Sequence, residues 1–269
     1  MTAVPTPRPK GAPLVPTVPP TLVAQVQHLL CDADGNLFPS EEPAFDASAE
    51  VTNAFLASLG IDRRYTASEL RLAATGMNFR STARALAAQE GVTDVDLEPW
   101  VAEERRAVTE HLGRTLQPHE PTLAALRRFA AVLPLSAVSS SALARLAACF
   151  TATGLDELIP PARRFSAEDS LPVPTSKPDP AVYAHACAAL GIAPEQGLAV
   201  EDAVAGVQSA VAAGCPVVGN LLFVLPEERE ARAAALLDAG AVTVVGSWGE
   251  LADLVLPALG ELQPAGGAR

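Results

Sequence analysis

Short apolar runs alternate with longer amphipathic segments along most of the chain. Val26 to Cys31 is one such run, and it ends in Asp32-Ala33-Asp34-Gly35. Val132 to Val138 is a second, followed by Ser139-Ser140-Ser141, and Gly197 to Val200 is a third, followed by Glu201-Asp202. Cys215 to Val218 and Val242 to Val245 are the fourth and fifth. Continuous apolar runs of strand length predict strands covered on both faces. Helices are predicted between them at Pro121–Ala131, Ala142–Phe150, Pro180–Leu190 and Val204–Ala213. The alternation predicts an α/β fold, a parallel sheet with helices on both faces.

The gap between the first and second runs breaks the pattern. From Phe45 to Thr115 the chain reads as helix after helix, at Glu50–Leu59, Ala67–Ala74, Ser81–Gln89 and Pro99–Leu112. A crossover between neighbouring parallel strands needs only about a dozen residues. The stretch therefore predicts an inserted all-α domain at 45–116, with the α/β domain split into 22–44 and 117–260. Residues 1–21 contain seven prolines and no apolar run, and read as a disordered tail without the apolar segment of a signal peptide. Residues 261–269 read as a second tail.

Charge narrows the function classes. The 269 residues carry 31 acidic and 19 basic side chains, a net charge of −12, and aromatics make up 4%. That balance disfavours nucleic acid and anionic membrane surfaces as partners. No apolar stretch approaches the ~20 residues of a membrane span. The four cysteines form no CxxC pair and the four histidines show no metal-ligand spacing. Unpaired thiols and the absence of a targeting signal point to the cytoplasm. No feature specifies an oligomeric state.

Polar clusters follow four of the structural boundaries, where α/β sheets bind ligands. Asp32 and Asp34, two residues apart in an extended chain, point the same way and can hold a hard cation or divide nucleophile and proton-transfer roles. They also read as a solvated acidic turn. Ser139 and Ser140, ahead of a helix start, form an anion site or an ordinary cap. Lys177, in Ser176-Lys177-Pro178-Asp179-Pro180, can neutralise a carboxylate and a phosphoryl oxygen together, or be a surface lysine. Glu201 and Asp202 repel one another unless a cation sits nearby.

The series as a whole resembles the haloacid dehalogenase-like hydrolases, in particular the members with a helical cap inserted after the first strand, such as phosphoglycolate phosphatases and β-phosphoglucomutases. The stretches that carry the resemblance are LLCDADGNLFPSEE, LPLSAVSSSALARL and SKPDPAVYAHACAALGIAPEQGLAVEDAVAGVQSAVAAGCPVVG, within residues 26–259. It implies a Rossmann-like sheet beneath the cap and a phosphatase acting on a small phosphorylated metabolite. Asp32 would be the nucleophile and Asp34 the general acid, then base. Ser139, the N–H of Ser140 and Lys177 would bind the phosphoryl group. Asp32, the main-chain carbonyl of Asp34, Asp202 and Glu201 would serve Mg²⁺, Glu201 through an indirect contact.

Departures from the family pattern are Asn36 in place of a frequent Thr, Pro39 in place of a frequent Asp, and a proline-rich loop before Lys177. Asp34 favours phosphate chemistry over dehalogenation. Ala44 stands where the mutases carry a histidine, which favours a phosphatase over a phosphotransferase. A non-catalytic binding module is the third reading. The segment Ala74 to Arg80 interrupts the helical pattern, so Asn78 and Arg80 are expected to face substrate, with Glu42 a further contact at the exit from the first motif.

Overall fold

The computed structural model describes residues 16–74 and 77–262, with side chains to residue 259. The expected loop residues Thr75 and Gly76, and most of both expected tails, lie outside the described residues. The chain enters through a short helix, α1 (Pro20–Val23), whose Val23 is buried in the core. The expected tail boundary at residue 21 thus cuts a packed turn of helix.

Among the described residues six parallel strands form one sheet: β1 (His28–Cys31), β2 (Leu135–Ser139), β3 (Arg164–Ser166), β4 (Gly197–Glu201), β5 (Val217–Asn220) and β6 (Thr243–Val245). Their order is β3-β2-β1-β4-β5-β6. The chain builds outward from β1 on one side and then returns to the other, so the switch point lies between β1 and β4, where a crevice opens at the strand ends. Cys31 pairs with Ala137 of β2 and Val200 of β4. That register brings Asp32, Ser139 and Glu201 out along one edge.

Between β1 and β2 run α2 (Glu41–Ser58), α3 (Ala67–Ala73), α4 (Phe79–Gln89) and α5 (Glu98–Thr115). α2 begins at Glu41, under two acids that suit the positive helix start, so the expected boundary at residue 44 falls inside a helix. These helices enclose a cluster of their own, built on Phe55, Leu56, Leu70, Leu86 and Leu97. α6 (Glu120–Ala130) leads into β2, and after β2 come α7 (Leu143–Thr153), α8 (Ala181–Leu190), α9 (Val204–Ala212), α10 (Arg229–Asp238) and α11 (Trp248–Leu262).

Strand residues alternate between two cores. Leu29 and Cys31 join Leu126, Phe129, Phe150, Trp248 and Val255 on one face, while Leu30 joins Val182, Tyr183, Val207 and Leu236 on the other. Burial of each such side chain contributes about 1.5–3 kcal/mol, which makes both faces stable supports for the strand ends. The four cysteines are buried and free. Among the described residues no helix is long and apolar enough to cross a membrane.

Candidate active site

β1 delivers Asp32 to the sheet edge, where it is only 7% exposed. The turn after it is fixed by Asn36, fully buried, which donates to the carbonyls of Asp32 at 3.0 Å and Val200 at 2.9 Å and accepts from Asn220 at 2.8 Å. Trp248 closes the network by donating to the Asn36 carbonyl at 2.9 Å. The amide thus ties β1 to β4 and β5.

Lys177 reaches the same edge despite the proline-rich loop before it. Its Nζ donates to Asp32 Oδ1, to Glu201 Oε1 at 2.7 Å and to the Val138 carbonyl at 2.8 Å. Burial works against the ammonium, but Asp32 and Glu201 outweigh it and hold the lysine above its usual range. Burial raises Asp32 well above the ordinary carboxylate range, and Glu201 and Asp202 add to that against the pull of Lys177. Asp202 is pushed up to about 7, first by burial and then by Glu201.

Carboxylate oxygens of Asp32, Glu201 and Asp202 all lie within 4.8 Å of one another. Glu201 Oε1 also accepts from the Tyr183 hydroxyl, while its Oε2 is buried with no partner. Two glycines leave room for these acids. A Cβ on Gly206 would lie 1.8 Å from Glu201 Oε2, and one on Gly35, whose φ is +75°, would lie 2.4 Å from Asp202 Oδ2. An all-oxygen, anionic cluster with an unpaired buried acceptor fits a hard divalent cation such as Mg²⁺.

Asp34 turns elsewhere. Its carboxylate accepts from Ser40 at 2.6 Å, Ser141 at 2.7 Å and Arg145 at 2.9 Å. Burial alone would raise it, but Arg145 and the two hydroxyls outweigh burial and leave it below the usual carboxylate range. Its side chain is therefore not part of the acidic cluster. Ser139 ends β2, buried, and its Oγ accepts from the Ser141 N–H at 3.0 Å. The Ser140 hydroxyl accepts from the Lys177 N–H at 3.1 Å, which anchors the lysine's backbone to the same loop.

The expected cap contacts are not brought in. Asn78 caps α4 by accepting from the Ser81 N–H at 2.9 Å, and Arg80 forms a fork with Glu98 at 2.5 and 2.9 Å. Neither lines the cavity over the sheet edge, because the start of α4 needs a cap and an exposed cation meets a nearer acid. Glu42 lines a smaller side cleft, while its neighbour Glu41 lines the main cavity. Met77, Phe79 and Thr82 take the places facing that cavity.

Sequence reading missed Arg145, Glu104 and Arg232, which all line the cavity. Arg232 donates to the Asp202 carbonyl at 3.0 Å. Burial raises Glu104 above its usual range, against the pull of Ser48, Arg145 and Arg105. Tyr183 was missed as well. The only signal was its place in the stretch after Lys177, where an aromatic reads as core.

Residues 26–214 match the family model for haloacid dehalogenase-like hydrolases. No curated protein matches the chain in sequence. Among solved structures, the chain is similar to a HAD family hydrolase from Deinococcus radiodurans, solved with bound phosphate and sodium. The two share 29% identity over 90% of this chain and 100% of that one, with a TM-score of 0.65. A haloacid dehalogenase-like protein of unknown function from Agrobacterium tumefaciens aligns at 24% identity over 86% and 98%, TM-score 0.66. A candidate β-phosphoglucomutase from Thermotoga maritima aligns at 21% identity over 86% and 99%, TM-score 0.65. With a family model matching most of its length and a fold shared with such neighbours, the chain belongs to the haloacid dehalogenase-like hydrolases.

Proposed function

We propose that the protein is a Mg²⁺-dependent phosphatase that hydrolyses a small phosphate monoester, of the sugar phosphate or phosphoglycolate type, through an aspartyl-phosphate. The observation that carries this reading is Lys177 Nζ set between Asp32 and Glu201, beside Asp202 and Ser139, at one sheet edge. Asp32, Asp202 and Glu201, with the Asp34 main-chain carbonyl, would hold Mg²⁺. The bound ion would neutralise phosphoryl charge and let two anions meet.

Asp32 attacks phosphorus, forming an acyl-phosphate bond as the ester P–O bond breaks. Asp34 gives a proton to the departing alkoxide. Water then attacks the acyl-phosphate, Asp34 takes its proton, and inorganic phosphate leaves with Asp32 restored. Ser139, the Ser140 N–H and Lys177 hold the phosphoryl oxygens throughout. The arrangement around Asp34 favours its ionised form, as the second half requires. A phosphate dianion placed between Asp32 and Asp34 raises Asp34 again and readies it for the first half.

The helices α2–α5 act as the cap, closing the cavity to excess water. Ala44 lines that cavity and offers no proton, which supports hydrolysis over mutase chemistry. Hydrolysis of phenyl phosphate by the purified chain is expected to require Mg²⁺. Asp32→Asn is expected to lower kcat by at least about 10³-fold. Metal-independent turnover, or full activity in that variant, would defeat the reading; no turnover across a broad ester panel would favour a binding module.

A further inference from the structure

The cavity over the sheet edge is about 450 Å³, which leaves room for an alcohol well beyond the phosphate. Among the described residues its lining carries six carboxyl groups and three cations. The three cations stand on the sheet side of the cavity: Lys177 on Asp32 and Glu201, Arg145 on Asp34 at 2.9 Å with its Nε unpartnered, and Arg232 on the Asp202 carbonyl at 3.0 Å. The wall contributed by α2–α5 is different in kind. It presents Phe45 and Phe79, the hydroxyls of Ser48 and Thr82, and two ionisable groups, Glu41 and Glu104, both acids.

Neither cap arginine nearby lines the cavity: Arg80 pairs with Glu98 at 2.5 Å, and Arg71, in the adjoining side cleft, pairs with Glu228 at 3.4 Å. A second anion held against the α2–α5 wall would meet the acids Glu41 and Glu104 and no cation of that wall.

We propose that the substrate's alcohol is uncharged, with an apolar part against Phe45 and Phe79 and hydroxyls toward Ser48, Thr82 and Glu104, and that esters bearing a carboxylate or a second phosphate are rejected. This rests on the phosphatase reading and narrows it, setting aside substrates of the phosphoglycolate type. Rejection comes from repulsion as much as from missing contacts, which is how a site discriminates between otherwise similar ligands.

The test is steady-state hydrolysis by the full chain with Mg²⁺ of three aryl esters of near-equal leaving-group basicity: phenyl phosphate, 4-(hydroxymethyl)phenyl phosphate and 4-carboxyphenyl phosphate. The first two are expected to be used comparably, and the third with kcat/KM at least about tenfold lower. Equal or better use of the carboxylated ester would overturn the inference and leave the phosphatase reading intact. No hydrolysis of any ester would defeat that reading and the inference with it. Glu104→Gln is expected to narrow the gap by raising kcat/KM for the carboxylated ester; an unchanged gap would overturn the part assigned to Glu104.

Discussion

Asp34 shows how much one carboxylate depends on its neighbours. Ser40, Ser141 and Arg145 fix its direction, and Arg145 comes from α7, more than a hundred residues along the chain. Replacing Arg145 by Gln should release that carboxylate and lower kcat for phenyl phosphate by about 10–100-fold with a smaller change in KM. Arg145→Lys should recover part of the loss, and steady-state kinetics on both variants check it. Asp32, Asp34, Ser139, Lys177 and Asp202 were legible because each follows an apolar run or a fixed turn that announces a sheet edge. Arg145 and Glu104 were not. Each sits in an amphipathic helix, where a charge looks solvent-facing until α5 packs on α7 and turns both toward the cavity. Arg80 and Asn78 failed in the opposite sense, since cap and ion pair satisfied them locally.

Elements decide where such side chains can stand. α9 opens beside Glu201, and Gly206 in its first turns leaves the space that Glu201 Oε2 fills. Gly206→Ala should push that carboxylate aside and raise the Mg²⁺ concentration for half-maximal activity by about 10–100-fold, measured by metal titration. Gain of the same metal affinity in the variant would show that Glu201 does not need the space. Five strands were readable as continuous apolar runs. β3 was not, because Arg164-Phe165-Ser166 is short and begins and ends in polar residues that are nonetheless buried. Arg164 manages this by donating to the Ile159 carbonyl at 3.0 and 2.8 Å, pairing with Asp156 at 2.5 Å and stacking 4.2 Å from the Phe150 ring. No linear pattern reveals such a set of partners. α10 and α11 were likewise unassigned, although α11 buries Trp248, which locks the turn after β1.

For the molecule as a whole, stability and catalysis meet at the same strand. His28 opens β1, buried, with Nε2 2.8 Å from Ser136 Oγ. Burial, with Arg163 adding to it, lowers its pKa from 6.5 to about 4. The unfolded chain therefore takes up a proton below about pH 6.5 that the native protein refuses until about pH 4. Above that window His28 contributes no pH dependence; as pH falls through it, about 3 kcal/mol of stability is lost. Urea unfolding at pH 7 and 4.5 should show the decline, and His28→Gln should flatten it even where it lowers absolute stability. An equal slope in the variant would assign the decline to the carboxylates instead.

The net charge of −12 takes on a local meaning at the cavity, where the acids gather around Lys177 and, on the proposed reading, would leave the phosphoryl group to a cation. Acid-quenching the full chain with Mg²⁺ during turnover of phenyl phosphate, then locating the phosphoryl group by mass spectrometry, tests Asp32 most directly. A hydroxylamine-labile phosphoryl group on the Asp32 carboxylate is the expected result. Turnover with no such adduct, and undiminished in Asp32→Asn, would contradict it.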